Sequence, residues 1–275
     1  MVDLLSPFLI KAYVAVLLMA ATSIIGSISV LRGIAYMPAE AAHAALGGAA
    51  LGILLAHVAN LMLDPYMVAA IFASITTLSA GYIGRKGGPE AIAAALAGAL
   101  TLGVSIYAFV RYILPAKLRV VLDGYLVGDI LLLGDFDIVA LSILTVACMT
   151  IFAMFYNEIV YVCFDPEGAE AMGVNVLFYD FVIFFLIGLA GSIVTKTVGT
   201  LIVYALVIAP AITAKELSRS VNGMLTLTAA ITLVAGYSGL LLSIVFNIPS
   251  SGSIAIFASA IYVGTMLAKR LTLKR

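Results

Sequence analysis

The stretch AYVAVLLMAATSIIGSISV, residues 12–30, carries no charged side chain from end to end. A helix needs about 20 mostly apolar residues to cross a bilayer, so this stretch is long enough. Similar runs recur along the 275-residue chain, which is 64% hydrophobic and only 10% charged, whereas soluble domains carry roughly 25% charged residues. The pattern predicts an all-α polytopic membrane protein: one transmembrane domain over residues 1–275, with about eight or nine transmembrane helices.

Apolar runs divide the chain into the predicted spans. They cover residues 7–31, 39–59, 66–84, 90–113, 136–159, 177–195, 198–214, 223–246 and 252–268. Only Lys196 and Thr197 separate the sixth span from the seventh. These two segments therefore form either a tight helical pair or a pair in which one member is re-entrant and does not cross.

Basic residues indicate the orientation, because cytoplasmic loops are richer in Lys and Arg. The strongest basic cluster is C-terminal and consists of Lys269, Arg270, Lys274 and Arg275, which predicts a cytoplasmic C-terminus. Counting back from a cytoplasmic C-terminus through nine spans puts one basic group on the outer side: Arg111, Lys117 and Arg119. These residues argue against the predicted orientation. The formal net charge is zero, so no basic surface indicates nucleic-acid binding.

The segment MPAEAAHAALGG, residues 37–48, puts a carboxylate and an imidazole into an apolar span. Pro38 is typical of a first helical turn, so Glu40 and His43 are expected near the N-terminal end of the helix. Positions three or four apart share a face, and Gly47 on that face should leave space beside the imidazole. The neighbouring stripe of small residues predicts close helix packing and consists of Ala44, Gly48 and Gly52.

Two interpretations of Glu40 and His43 stay open. Ionisable groups inside a span are costly and usually face a cavity, and a carboxylate with an imidazole suits zinc, manganese or ferrous iron. Alternatively, the two side chains pair with each other and cap the helix at the membrane interface. His57, at the far end of the same span, is interpreted as an interfacial residue.

The stretch RVVLDGYLVGDILLLGDFD, residues 119–137, carries carboxylates among apolar residues. Lipid would not tolerate Asp123, Asp129 and Asp135, so the stretch is predicted to form an interfacial or cavity-lining helix. These side chains either belong to an ion pathway or anchor the helix at the interface. Anchoring is the favoured interpretation.

The segment DPEGAEAMGVN, residues 165–175, predicts a short helix of about two turns between two spans. Asp165 followed by Pro166 is a helix-opening signal, and Glu167 lies in the first turn. Gly173 is a typical helix stop. Together with Glu170, the carboxylates give this helix an acidic side.

Enzyme motifs are absent from the sequence. It contains no HExxH, no GxSxG and no P-loop GxxxxGK[ST], so the chain is predicted not to be an enzyme. If it takes part in ATP-driven transport, the nucleotide site must lie on another subunit. Cys148 and Cys163 form no metal-binding or disulfide pattern and are predicted to be small core residues.

Five segments, in this order, resemble the permease subunit of metal-ion ABC importers, the family that carries zinc, manganese or ferrous iron. They are MPAEAAHAALGG, VLDGYLVGDILLLG (121–134), DPEGAEAMGVN, VGTLIVYALVIAPAITA (198–214) and NIPSSGSIAI (247–256). The resemblance runs from the first span to about residue 268, and the block 198–214 is its most specific part. It implies the ABC importer permease fold and an ATPase-docking segment formed by Asp165, Pro166, Glu167, Glu170 and Gly173.

The resemblance also implies a metal-handling site in the second span, where the family motif commonly reads Gly-Asp-x-x-Ser-His-x-x-x-x-Gly. The motif His corresponds to His43. The motif Asp corresponds to Ala39, which cannot bind metal. Glu40 can replace it, because a residue three positions before His43 shares its face nearly as well. Asn247 is a second departure, since many relatives have an acidic residue there.

The resemblance implies a homodimeric permease for a divalent transition metal ion, without a permanently bound cofactor. Two ATPase subunits would bind at the cytoplasmic side of the cell membrane, and an extracellular metal-binding protein would deliver the ion. One alternative is a partner-independent secondary transporter or channel for a cation, with Asp123, Asp129 and Asp135 on its path. Another is a membrane scaffold, in which the second span serves only packing.

Overall fold

The computed structural model describes residues 7–59 and 63–272, and these ranges contain helices and no strand. The α-helices are α1 (Pro7–Leu31), α2 (Met37–Val58), α3 (Pro65–Ile113), α4 (Ala116–Val127), α5 (Asp135–Met154), α6 (Tyr156–Phe164), α7 (Pro166–Ala171), α8 (Val176–Val198), α9 (Ala209–Leu217), α10 (Val221–Phe246) and α11 (Ser250–Thr272). Short 3-10 turns cover Ile130–Leu132 and Thr200–Ile202, and a π turn covers Tyr204–Ile208.

Eight helical segments in the described ranges are long and apolar enough to cross a membrane. They cover residues 8–31, 37–58, 65–84, 90–113, 135–154, 176–198, 221–246 and 250–271. Helix α3 contains two of them, joined by a kink at Gly88, whose φ of 75° favours glycine. The predicted span 136–159 is shorter than expected, because the helix ends at Met154 and α6 begins separately. The prediction of an all-α polytopic membrane protein is confirmed.

The remaining predicted span, 198–214, is not a continuous helix. Gly199, with φ of 84°, ends α8, and the 3-10 turn, the π turn and α9 follow. Pro210 explains part of this irregularity, because proline has no N–H to donate to the carbonyl four residues earlier, on Leu206, and its ring crowds that carbonyl. The Thr232 hydroxyl oxygen lies 3.5 Å from this Leu206 oxygen.

This broken segment nevertheless runs from one end of the helix bundle to the other beside α11. At its start, Gly199 packs against the backbone just before Asp129, and Asp129 accepts a hydrogen bond from Ser250 at the start of α11. At its end, Glu216 pairs with Lys269 near the other end of α11. Helix α8 and the broken segment are thus a pair of consecutive crossings, one regular and one irregular.

Contacts between side chains define the two ends of the bundle. At the first, which we call the acidic end, Lys11 pairs with Asp135 and Lys196 pairs with Asp137. At the opposite end, which we call the α7 end, one pocket is lined by Leu31, Phe164, Lys215, Ser218, Arg219, Ser220, Val221 and Met224. Helix α11 reaches its last turn, with Lys269, at the α7 end. Lys274 and Arg275 of the predicted basic cluster lie outside the described residues.

Glycines let α2 and α3 approach each other closely. A Cβ on Gly47 would lie 2.6 Å from Gly103 Cα, and one on Gly52 would lie 2.7 Å from Pro65 Cα. Gly48 is equally crowded, with Ala69 Cα at 2.9 Å from such a Cβ. Close approach of this kind stabilises helix pairs in lipid through van der Waals contact, since lipid supplies no hydrophobic force between helices.

Hydroxyl groups join α1 to α10. Ser27 Oγ lies 2.7 Å from Thr228 Oγ1, and Thr232 Oγ1 donates to Ser23 Oγ at 3.1 Å. Such bonds between membrane helices contribute about 0.6 kcal/mol each. Both cysteines are buried and free, which confirms their interpretation as core residues.

Candidate functional site

Glu40 and His43 lie in the first two turns of α2, inside the bundle. Met37 and Ala39 at the start of the helix are fully buried, so this helix end does not lie at a surface. The His43 carbonyl oxygen packs against Gly103, near the middle of the span 90–113. The expected place near the N-terminal end of the helix is the one observed, and this end of α2 lies inside the bundle, level with the middle of the span 90–113.

The backbone of α2 orients the His43 imidazole. Nδ1 lies 2.8 Å from the carbonyl oxygen of Ala39. A carbonyl only accepts hydrogen bonds, so Nδ1 is the donor, and Nε2 is the ring nitrogen that this bond does not use. The residue at the family's Asp position thus contributes through its carbonyl oxygen, and His43 presents Nε2 as a metal-ligand atom.

The Glu40 carboxylate has one oxygen with a partner and one without. Tyr204 Oη donates to Oε1 across 3.5 Å. Oε2 is buried and has no hydrogen-bond partner among the described residues. A buried acceptor left without a partner costs about 1–3 kcal/mol, so the fold holds this oxygen ready for a cation or a donor that arrives from outside the chain.

The space expected beside the imidazole at Gly47 does not exist. Gly103 fills it, because two glycines facing each other bring the backbones of α2 and α3 together. Gly47 therefore acts with Ala44, Gly48 and Gly52 in the contact with α3. The Glu40 carboxylate instead faces the broken segment, where it meets Tyr204.

A carboxylate oxygen and an imidazole nitrogen are donor types that divalent transition metal ions accept. The described residues contain no group of three or more His, Cys, Asp or Glu side chains placed to hold a metal. Two donors from one chain bind weakly, which suits an ion that must leave again. His57 does not contribute, because it lies exposed in the last turn of α2.

Asp123 is fully engaged by neighbouring side chains. Arg111 donates to both carboxylate oxygens at 2.7 Å and 2.9 Å, and Tyr107 Oη donates at 2.7 Å. The Arg111 guanidinium holds the pKa of the Asp123 carboxyl below its ordinary value. This network connects α4 to the end of α3, and both oxygens of Asp123 take part in it.

Asp129 and Asp135 also have structural partners. Asp129 Oδ1 accepts from the Leu131 backbone N–H at 3.0 Å and from Ser250 Oγ at 2.5 Å, so it caps a 3-10 turn and ties it to α11. Asp135 pairs with Lys11 at 2.7 Å, with its own side chain 89% exposed. The predicted stretch of acidic residues therefore forms α4, a 3-10 turn and the start of α5, and not one continuous helix. Asp129 and Asp137 of this stretch line one cavity together with Lys196.

The predicted docking segment forms α7, which is shorter than two turns. Asp165 Oδ1 accepts from the Gly168 backbone N–H at 2.8 Å and caps the helix. Gly173, with φ of 83°, ends it, and the Val174 N–H closes the turn onto the Ala169 carbonyl at 2.9 Å. Glu167, Glu170 and Met172 are exposed around this helix.

Sequence reasoning missed Tyr204 and assigned Lys196 only to a gap between spans. Tyr204 is 164 positions from Glu40, and no spacing rule connects them. The one available signal was a hydroxyl-bearing aromatic residue in the middle of the most specific apolar block. Lys196 lies in the last turn of α8, pairs with Asp137 at 3.0 Å and stacks over the Tyr125 ring at 4.6 Å.

Comparisons with known proteins agree with this architecture. MntC of Listeria monocytogenes, a manganese transport system membrane protein, is 29% identical over 259 residues, which are 93% of this chain and 88% of MntC. ZnuB of Haemophilus influenzae, a high-affinity zinc uptake system membrane protein, is 26% identical over 96% of this chain and 97% of its own length. The structure of PsaBC from Streptococcus pneumoniae in complex with Fab superposes with a TM-score of 0.80 at 26% identity, over 98% of this chain and 96% of the matched one. The model of the ABC 3 transport family matches residues 6–269, and this protein therefore belongs to that family.

Proposed function

We propose that this chain is the membrane permease subunit of an ATP-driven importer of divalent transition metal ions: zinc, manganese or ferrous iron. The observation that carries the proposal is the donor pair at mid-depth, Glu40 Oε2 and His43 Nε2, neither of which is tied to the protein. The pair lies in a chain of the ABC 3 transport family. Relatives of similar length are named for manganese transport and for zinc uptake.

Two copies of the chain would line one pathway, with the ion passing Glu40 and His43 on its way. ATP would bind and be hydrolysed on separate subunits, and an extracellular metal-binding protein would deliver the ion. The permease itself would catalyse no reaction. Rocking of the helices between outward- and inward-open states would follow ATP-driven closure of the partner subunits.

Helix α7 would dock on the ATPase subunit. Its exposed carboxylates, Glu167 and Glu170, suit a basic groove, and Met172, 76% exposed, offers an apolar anchor. Helix α7 lies at the same end of the bundle as the last turn of α11, so one cytoplasmic side would contain both the docking helix and the C-terminus.

Positive charge supports this orientation. Lys215, Arg219 and Lys269 lie at the α7 end, as expected for the cytoplasmic side. At the opposite end Arg111 binds Asp123, and the Arg119 guanidinium donates to the Leu114 and Tyr112 carbonyls. Arg111 and Arg119 argued against the predicted orientation. Both form local hydrogen bonds within α3 and α4.

Metal uptake by cells tests the proposal. The chain is expressed with its chromosomal neighbours, and uptake of zinc, manganese, iron and cobalt is compared in wild type, Glu40→Ala and His43→Ala. Both variants should lose uptake of the same metal by more than the 10–100-fold typical of outer-shell changes, at unchanged protein level. His57→Ala is the matched control, because it removes the exposed imidazole of the same helix and should leave uptake unchanged.

Unchanged uptake in both site variants would mean that Glu40 and His43 only stabilise the start of α2. Uptake that persists without an ATPase subunit would favour a secondary transporter or channel. Wild-type protein that takes up none of the four metals would favour a scaffold and would refute the proposal.

The docking assignment has its own test. Proline cannot adopt the positive φ of Gly173, so Gly173→Pro combined with Glu170→Arg should deform the end of α7 and reverse its charge. The ATPase subunit should then no longer co-purify with the permease, and uptake should stop although the permease is still present in the membrane. If the ATPase subunit still co-purifies and uptake continues, docking through α7 is refuted.

A further inference from the structure

We propose that Tyr204 is a positioning residue of the metal pathway, which holds the Glu40 carboxylate so that its free oxygen faces the ion together with His43 Nε2. This inference rests on the proposed function and adds a residue of the broken segment to the site. Tyr204 would not bind the ion itself. It would act through Glu40, in the way that an outer-shell hydrogen bond orients a metal ligand.

The first support is that Glu40 and His43 are held in the same way. The Ala39 carbonyl binds His43 Nδ1 at 2.8 Å and leaves Nε2 free. Tyr204 Oη binds Glu40 Oε1 at 3.5 Å, and Oε2 stays buried without a partner. Each side chain is thus held by one atom and presents the other. Because residues three apart share a helix face, the two free atoms lie on the same side of α2.

The second support is the backbone at Tyr204. It is the first residue of the π turn, which the Ala209 N–H closes onto the Tyr204 carbonyl five residues earlier. The extra residue in such a turn rotates the side chains after it relative to those before it. Turns of this kind occur often at functional sites. Here the irregularity, which Pro210 helps to produce, coincides with the one phenol that contacts Glu40 among the described residues.

The third support is accessibility. Tyr204 is 47% exposed, so it is not a core residue held in place for packing alone. An ion that reaches Glu40 would meet the carboxylate already held on the helix face that carries His43. Without the hydroxyl, the carboxylate would sample more rotamers, and binding would become weaker while the movement of the helices would be unaffected.

The experiment compares Tyr204→Phe with wild type for zinc and manganese uptake by the complete importer. Tyr204→Phe removes only the hydroxyl and should raise KM about 10–100-fold, the range for loss of an outer-shell partner, with Vmax unchanged. Tyr112→Phe is the control, because it removes a hydroxyl from an 82% exposed tyrosine of α3 and should change neither parameter.

Metal binding by the detergent-purified complex then tests whether Tyr204 acts through Glu40. Kd values for zinc and manganese are measured for wild type, Tyr204→Phe, Glu40→Ala and the double variant. In the Glu40→Ala background, Tyr204→Phe should have no further effect, since there is no carboxylate left to position. An equal loss in both backgrounds would overturn the inference.

The outcomes separate this inference from the function on which it rests. If wild type takes up neither metal, the proposed function fails. If wild type transports and Tyr204→Phe keeps the wild-type KM, the positioning role is refuted and the function stands. A Vmax that falls at unchanged KM, or a reduced protein level, would show a structural role and would also refute the inference.

Discussion

Glu40 and the acidic residues between Asp123 and Asp137 differ in whether a carboxylate oxygen is both buried and without a partner among the described residues. Glu40 keeps one buried oxygen without a partner, whereas Asp123, Asp129 and Asp135 each bind an arginine, a serine or a lysine. The isolated carboxylate lies at mid-depth beside an imidazole, and the group of carboxylates lies around the acidic end.

The comparison shows that the number of acidic residues in a segment does not locate a site. Clustered carboxylates in a membrane protein must be paired or capped to be tolerated, and here this need accounts for the partners of all three. A single unpaired oxygen that the fold keeps at a cost is the better indicator of function. The following predictions test this difference, from the largest expected effect to the smallest.

Gly103→Val should have the largest effect and should disturb the Glu40 region. A Cβ on Gly103 would lie 2.5 Å from the His43 carbonyl oxygen, so α2 must move away from α3, at a cost of about 1–3 kcal/mol or more. Folded protein and metal uptake should both fall sharply. Gly98→Val is the control, since a Cβ there meets nothing within 4 Å. Wild-type uptake by Gly103→Val would show that this contact does not position the donors.

Asp129→Ala should lower the stability of the acidic end and leave metal uptake unchanged. It removes the cap on the Leu131 N–H and the link to Ser250, and loss of a cap costs about 1–2 kcal/mol. The melting temperature of the purified protein should fall, and KM for metal uptake should stay at the wild-type value. A raised KM would mean that Asp129 takes part in transport, and that Asp129 and Glu40 do not differ in the way proposed.

Asp123→Asn should change the pH dependence of stability. Because Arg111 lowers the pKa of Asp123 in the folded protein, the stabilisation is present above the pKa of the unfolded chain and is lost as the pH falls through the lower folded pKa. The difference in melting temperature between wild type and Asp123→Asn should therefore shrink as the pH falls below the ordinary carboxyl pKa. A difference that stays constant as the pH falls would contradict the assignment.

Asp135→Asn should have the smallest effect. Asp135 pairs with Lys11 while its own side chain is 89% exposed, and such exposed pairs contribute little. Melting temperature and uptake should both match wild type at physiological salt. A clear loss of uptake would mean that an exposed carboxylate at this end takes part in transport or in contact with the delivering protein.

Much of the architecture was predictable from local sequence. Spans follow from runs of apolar residues because the bilayer sets a minimum length, and the described helices agree with them except where α5 ends early at Met154 and where the span 198–214 is broken. The end of α7 at Gly173 was predictable, since only glycine readily adopts the positive φ that stops a helix there. The interruption of the span 198–214 was not foreseen, although Gly199 and Pro210 are visible in the sequence.

The candidate site was predictable only in part. The shared helix face of Glu40 and His43 follows from their spacing, and the close packing of Gly48 and Gly52 follows from the stripe of small residues. The crowding at Gly47 was not predictable, because it depends on Gly103 in another helix.

The sequence by itself therefore determined the membrane class, the extent of the helices and the residue types available for a metal, since these depend on composition and on neighbours a few positions apart. Only the tertiary structure decided which carboxylate keeps a free oxygen. Tyr204 meets Glu40 from 164 positions away, and Arg111, Ser250 and Lys11 bind the other three carboxylates through contacts that no local pattern encodes. Whether a charged group is satisfied depends on which distant side chains the fold brings within hydrogen-bond distance of it.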